Sequence, residues 1–101
     1  MAQRHIFCDK TEIVCMVMGK KKMQTFNLPF DSITRIQFDT YEEKKLFKKV
    51  PSEKITIVTG KRAEPIVYTK LKEKQFFEDY KKELEKFTKD NRITFANNLS
   101  Q

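Results

Sequence analysis

FCDKTEIVCMVMGKKKMQTFNLPFDSITRIQF, residues 7–38, decides the fold, because hydrophobic side chains recur in it at strand spacing and polar turns punctuate it. Residues 12–18 (EIVCMVM) are apolar throughout after Glu12, and residues 22–28 (KMQTFNL) place Phe26 and Leu28 on one face. Between them Gly19 to Lys21 reads as a tight, charged connection, since glycine tolerates positive φ and lysines at a hairpin tip stay in water. Upstream, His5–Cys8 forms a first strand that turns at Asp9, Lys10 and Thr11. Downstream, Pro29 blunts the third strand and Asp31-Ser32 supplies a polar turn. Residues 33–39 (ITRIQFD) then alternate Ile36 and Phe38 with Gln37 and Asp39 as a fourth strand.

Beyond this stretch, residues 40–53 (TYEEKKLFKKVPSE) mix charge with Leu46, Phe47 and Val50 and read as an extended hairpin arm or a loop. Residues 54–59 (KITIVT) and 65–70 (PIVYTK) are two further strands joined through Gly60, Lys61 and Arg62. From Leu71 the period becomes helical, with Leu71, Phe76, Phe77, Tyr80, Leu84 and Phe87 on one stripe. The pattern predicts a helix over about 72–90, roughly 27 Å long, with favourable pairs at Glu78/Lys82 and Glu85/Lys89 and a stop at Asp90-Asn91. A tail over 92–101 carries Ile93, Phe95 and Leu99, which suit packing back on the body. Strands first and one terminal helix is an α+β order that excludes wound α/β folds.

Composition narrows the function classes. A chain of 101 residues builds one core rather than two, so one domain over 1–101 is expected. Nine Phe and three Tyr are too many aromatics for a disordered segment. The charge of +7 divides as +4 over residues 1–50 and +3 over 51–101, so no basic tail stands apart from the fold. Cys8 and Cys15 fit neither a CxxC metal pattern nor a secreted disulfide framework, and read as reduced thiols. MAQRHIFCDK at the start has no apolar signal core, and no run is long enough to cross a bilayer, which makes a cytoplasmic location the expectation.

Residues 7–38 resemble the opening of bacterial pleckstrin-homology-like domains. The likeness is carried by the strand, hairpin and strand, and by the connection Leu28, Pro29, Phe30, Asp31, Ser32, Ile33; it extends loosely through ITIVTG and the helix, roughly residues 5–90. The resemblance implies a strongly bent antiparallel β-barrel of two near-orthogonal sheets, closed by the helix, with Phe76, Phe77, Tyr80, Leu84 and Phe87 as core plug residues. It implies a fold far more than an activity.

Catalysis finds no support in the residues. His5 is the single histidine and has no Ser or Cys motif around it, and Gly19 and Gly60 are too few for a phosphate loop. No metal-ligand spacing is present, so neither a metal nor a cofactor is expected.

Three surfaces remain. Residues 13–18 are apolar on both strand faces, and the outer one, Val14, Met16 and Met18, must lie under the chain's own tail or meet another chain. This makes a non-catalytic interaction module, binding protein or itself, the first functional expectation. Lys20, Lys21 and Lys22 at the hairpin tip, with Lys44, Lys45, Lys48 and Lys49 around Leu46 and Phe47, carry the alternative, peripheral binding to anionic membrane lipids. For the first group a solvated tip is the plainer expectation. For the second it is a surface hairpin whose Leu46 and Phe47 fold inward. Nucleic acid ranks below both, because the placeable aromatics lie on the helix stripe.

Overall fold

The computed structural model describes residues 3–99, and the side chain of Lys45 lies outside what is described. Three strands form the first sheet: β1 (Ile6–Cys8), β2 (Glu12–Met18) and β3 (Met23–Pro29), in the order β1-β2-β3 with antiparallel pairs throughout. A 3-10 turn at Phe30–Ser32 leads to β4 (Ile33–Lys45), β5 (Lys48–Thr59) and β6 (Ile66–Thr69). Helix α1 (Phe77–Asn91) follows, then β7 (Thr94–Asn97), and the second sheet runs β6-β5-β4-β7.

The alternation that sets the strands also sets the core. Ile6, Ile13, Cys15 and Leu28 from the first sheet meet Ile36, Phe38, Ile55, Ile57, Ile66 and Tyr68 from the second, and the helix contributes Phe77, Tyr80, Leu84 and Phe87. These four lie one helical turn apart or nearly so, which is why they share a face. The expected α+β architecture of two sheets and one C-terminal helix is therefore present. The closed, wholly antiparallel barrel is not: the two sheets are separate, and β7 pairs with β4 in parallel, Arg35 opposite Thr94 through Phe38 opposite Asn97. A parallel neighbour needs a crossover, and the run through β5, β6 and α1 supplies it.

The helix begins later than its apolar stripe suggested. Leu71 to Phe76 form turns, bonded by Lys70 N–H to the Glu53 carbonyl (2.9 Å), Glu73 N–H to the Thr69 carbonyl (3.0 Å) and Phe76 N–H to the Glu73 carbonyl (3.0 Å). Those turns bring the Glu73 carboxylate to His5, whose Nδ1 lies 2.8 and 3.0 Å from its two oxygens. Tyr80 joins both, its hydroxyl donating to Glu73 Oε1 (3.1 Å) and accepting the His5 backbone N–H (2.7 Å). Along α1 the ion pairs also differ from expectation: Glu78 meets Lys81 (3.1 Å) in place of Lys82, and Lys86 meets Asp90 (3.1 Å), one residue on from Glu85/Lys89. Arg92, at φ 54°, ends the helix, with the Ile93 N–H on the Thr88 carbonyl at 3.0 Å.

Leu84→Ala is expected to cost about 2–5 kcal/mol through the cavity it opens. Tyr80→Phe keeps the ring but strands the His5 N–H and takes one of two donors from Glu73 Oε1, which keeps His5 Nδ1, for about 1–3 kcal/mol. Urea unfolding with an unchanged slope checks both.

Candidate functional site

The β4–β5 hairpin carries the most unusual surface. Its first half is core: Ile36 lies opposite Ile57 and Phe38 opposite Ile55. From Thr40 opposite Glu53 the same ladder continues without a core behind it, through Glu42/Pro51, Glu43/Val50 and Lys44/Lys49 to Lys45/Lys48. Residues 40–53 are thus an ordered arm, the first of the two expected readings.

At its tip Leu46 and Phe47 make the turn. They do not fold inward, as the plainer expectation had it: Leu46 is 94% exposed and Phe47 is 100% exposed. The reason is geometric, since a two-residue turn at the end of a ladder that has left the body has nothing to fold against. Leu46 sits at φ 48°, in the left-handed region where Asn or Gly is the usual choice and where a branched side chain costs about 1–2 kcal/mol. Two further features work against the arm. Lys44 lies directly opposite Lys49, and Lys45 is in register with Lys48; a like-charge pair of this kind destabilises a ladder by about 0.2–1 kcal/mol. Lys44, Lys48 and Lys49 are exposed. The arm's acidic residues, Glu42, Glu43 and Glu53, all lie nearer its root.

Glu53 anchors that root. Its carboxylate takes Lys81 Nζ from the helix at 2.7 Å, and its carbonyl takes the Lys70 N–H. Beside it an open cleft of about 350 Å³ lies between Thr40, Pro51 and Ser52 on one side and Lys70, Leu71 and Lys74 on the other. Glu53 being paired, the cleft's free charge is positive: Lys70 reaches only the exposed Glu78, at 3.7 Å, and Lys74 has no ion pair among the described residues.

The first-sheet candidates separate from these. Lys20, Lys21 and Lys22 are exposed at the β2–β3 turn, as a solvated tip would be, and they belong to a different sheet from the arm. Gly19 closes that turn with its N–H on the Lys22 carbonyl (2.8 Å), but not through positive φ, which neither glycine adopts. Its requirement is close approach, because a Cβ there would stand 2.9 Å from the Lys22 oxygen. On β2, Ile13 and Cys15 are buried and Val17 packs on the core, leaving Val14 and Met16 half-buried and Met18 68% exposed on the outer face. The tail does not resolve as a cover for that face: β7 is committed to β4, with the Phe95 ring edge-on to Phe38 at 5.0 Å, and Ile93, Phe95 and Leu99 pack on the core. Ser100 and Gln101 lie outside the described residues.

Elsewhere, reactive groups are tied down. Burial first of all pushes the Cys8 and Cys15 thiols up to about 12, which keeps both protonated at neutral pH and poor as nucleophiles. Among the described residues no group of His, Cys, Asp and Glu is placed to hold a metal ion, and no helix is long and apolar enough to cross a membrane.

Leu46→Gly is expected to relieve the strained turn and to raise hydrogen-exchange protection of the arm's ladder amides by roughly threefold, corresponding to about 0.6 kcal/mol. Exchange measured over residues 42–51 checks it. Family models, curated proteins and solved structures were compared with the chain, and none of them matches it.

Proposed function

We propose that this chain is a non-catalytic interaction module of pleckstrin-homology-like type whose β4–β5 arm docks peripherally on anionic membrane surfaces. One observation carries the reading: the tip places a fully exposed Phe47 and a nearly fully exposed Leu46 among lysines that repel one another. In an isolated chain the facing lysines work against the arm, and the apolar pair gains no burial. An anionic bilayer offsets all of them at once, taking the apolar pair below its headgroups and neutralising the facing cations.

Magnitudes support a combined signal. Burying a Leu and a Phe side chain is worth about 1.5–3 kcal/mol each. Each lysine near an anionic surface adds about 1 kcal/mol. Neither contribution alone overcomes the several kcal/mol lost on immobilising a protein, whereas the two together give weak, reversible attachment. The cationic cleft at the arm's root, with Lys70 and Lys74, extends the same charge toward the body. The protonated thiols, Cys15 buried and Cys8 half-buried, and the paired His5 support the non-catalytic half of the proposal.

Sedimentation with phosphatidylglycerol vesicles is expected to pellet the protein at low salt and progressively less as salt rises. Phosphatidylcholine vesicles should leave it in solution. Leu46→Gly with Phe47→Ser should reduce binding at least tenfold without destabilising the fold. Lys49→Glu separates function from stability: opposite Lys44 it should strengthen the arm while weakening vesicle binding several-fold. Absence of binding to anionic vesicles at low salt, or binding indifferent to Leu46 and Phe47, overturns the proposal.

A further inference from the structure

We infer that the chain pairs with a second copy of itself through the open edge of β3, giving a two-fold dimer in which the two β3 strands run antiparallel. The edge differs from the others. β1 has three residues and β6 and β7 have four each, short enough to offer little template, and the lengths of β4 and β5 left uncovered in the arm, 39–45 and 48–53, are rich in charge; β3 spans seven residues, Met23–Pro29, and none of them is charged in a chain that is 35% charged. Natural sheets blunt long edges with charge, bulges or cover. Here Thr25 and Asn27 are exposed and, among the described residues, β3 pairs only with β2.

The hydrogen-bond parity shows which groups are free. Gly19 N–H reaches the Lys22 carbonyl and Phe30 N–H reaches the Thr11 carbonyl, both at 2.8 Å. With Met16 opposite Thr25 and Val14 opposite Asn27, these bonds assign the even-numbered residues to the β2 ladder. The N–H and C=O groups of Met23, Thr25 and Asn27 therefore point to the open side. Pro29 shares their parity, so its missing N–H is lost only on that side and the β2 ladder is untouched. Antiparallel pairing of two such strands, centred between Thr25 and Asn27, makes about six new backbone bonds.

The strand's ends select a second copy as the occupant. At one end stand the exposed Lys20, Lys21 and Lys22, and at the other the exposed Phe30 and Asp31. Antiparallel self-pairing sets the three lysines of each copy against Phe30 and Asp31 of the other, twice over by symmetry, whereas parallel pairing would set lysine against lysine. Met23, opposite Met18 in the hairpin, continues the apolar strip of Val14, Met16 and Met18 up to the seam. A seven-residue seam lies at the small end of stable interfaces, so the expected dissociation constant is in the range of tens of micromolar.

Sedimentation velocity of the full chain without lipid, from about 1 μM to about 1 mM, tests this independently of the membrane reading. A monomer–dimer equilibrium is expected. Thr25→Pro removes an outward N–H that the fold does not use, and should give a monomer with an unchanged circular dichroism spectrum; Thr25→Lys, which places like charges at the seam, serves if the proline variant fails to fold. Lys21→Glu and Asp31→Lys should each weaken the dimer roughly fivefold, and the double variant should return to within about twofold of the parent. A monomer at every concentration overturns the inference. So does a dimer indifferent to both Thr25 variants, or a double variant weaker than either single one.

Discussion

Because β4 and β5 pair continuously from Arg35 opposite Val58 to Lys45 opposite Lys48, a single hairpin serves both as the floor of the core and as the arm that leaves it. Its buried half presents Ile36, Phe38, Ile55 and Ile57 to the stripe of α1, and its edges receive β6 and β7. Backbone groups have to be paired wherever they are removed from water. Continuing the ladder past the last core pair keeps the arm's backbone satisfied where its side chains contribute little burial. The arm is held by hydrogen bonds rather than by packing, and a strained, self-repelling tip can persist on it for the same reason.

A second constraint is polar. Glu73 stands between His5 and Tyr80, drawing the start of the chain, the turns before the helix and the helix itself to one point. Arg4 adds an ion pair with Glu83 on the helix and lies over the Tyr80 ring. Tyr68, from the edge of the second sheet, donates to the Met16 carbonyl of the first at 2.9 Å. These bonds span the core's rim, where apolar packing gives way to solvent, and they orient the two sheets and the helix relative to one another.

The surfaces assigned to function are the ones that folding leaves unused. Neither the tip of the arm nor the edge of β3 is needed to complete the core, and each carries a choice that an isolated domain would avoid: apolar side chains in water in the first case, a long uncharged edge in the second. They lie on different sheets and at different levels of organisation, one made of side chains and one of backbone groups. A dimer joined through β3 would carry two arms, so that membrane attachment weak for one copy would gain from the other.

Alternation at Ile13/Cys15, Ile36/Phe38 and Ile55/Ile57, and the helical period of Phe77, Tyr80, Leu84 and Phe87, follow from local geometry, so the first six strands in chain order, the helix and most of the core were legible in the sequence alone, whereas β7 was read only as a tail. The lysine clusters and the apolar outer face of β2 were legible for the same reason. Several features were decided only by the tertiary structure. The arm's direction was one, because a ladder beyond the core has no burial period to read and only its departure from the body shows that Leu46 and Phe47 lie in water. The parallel seat of β7 on β4 was another, since four residues of TFAN match more than one edge equally well. The delayed start of α1 was a third: it depends on Glu73 meeting a histidine 68 residues away, a contact that no local period encodes. Local periodicity determines which face of an element is apolar; which neighbour covers that face, and which edge stays open, depends on contacts between residues far apart in the chain.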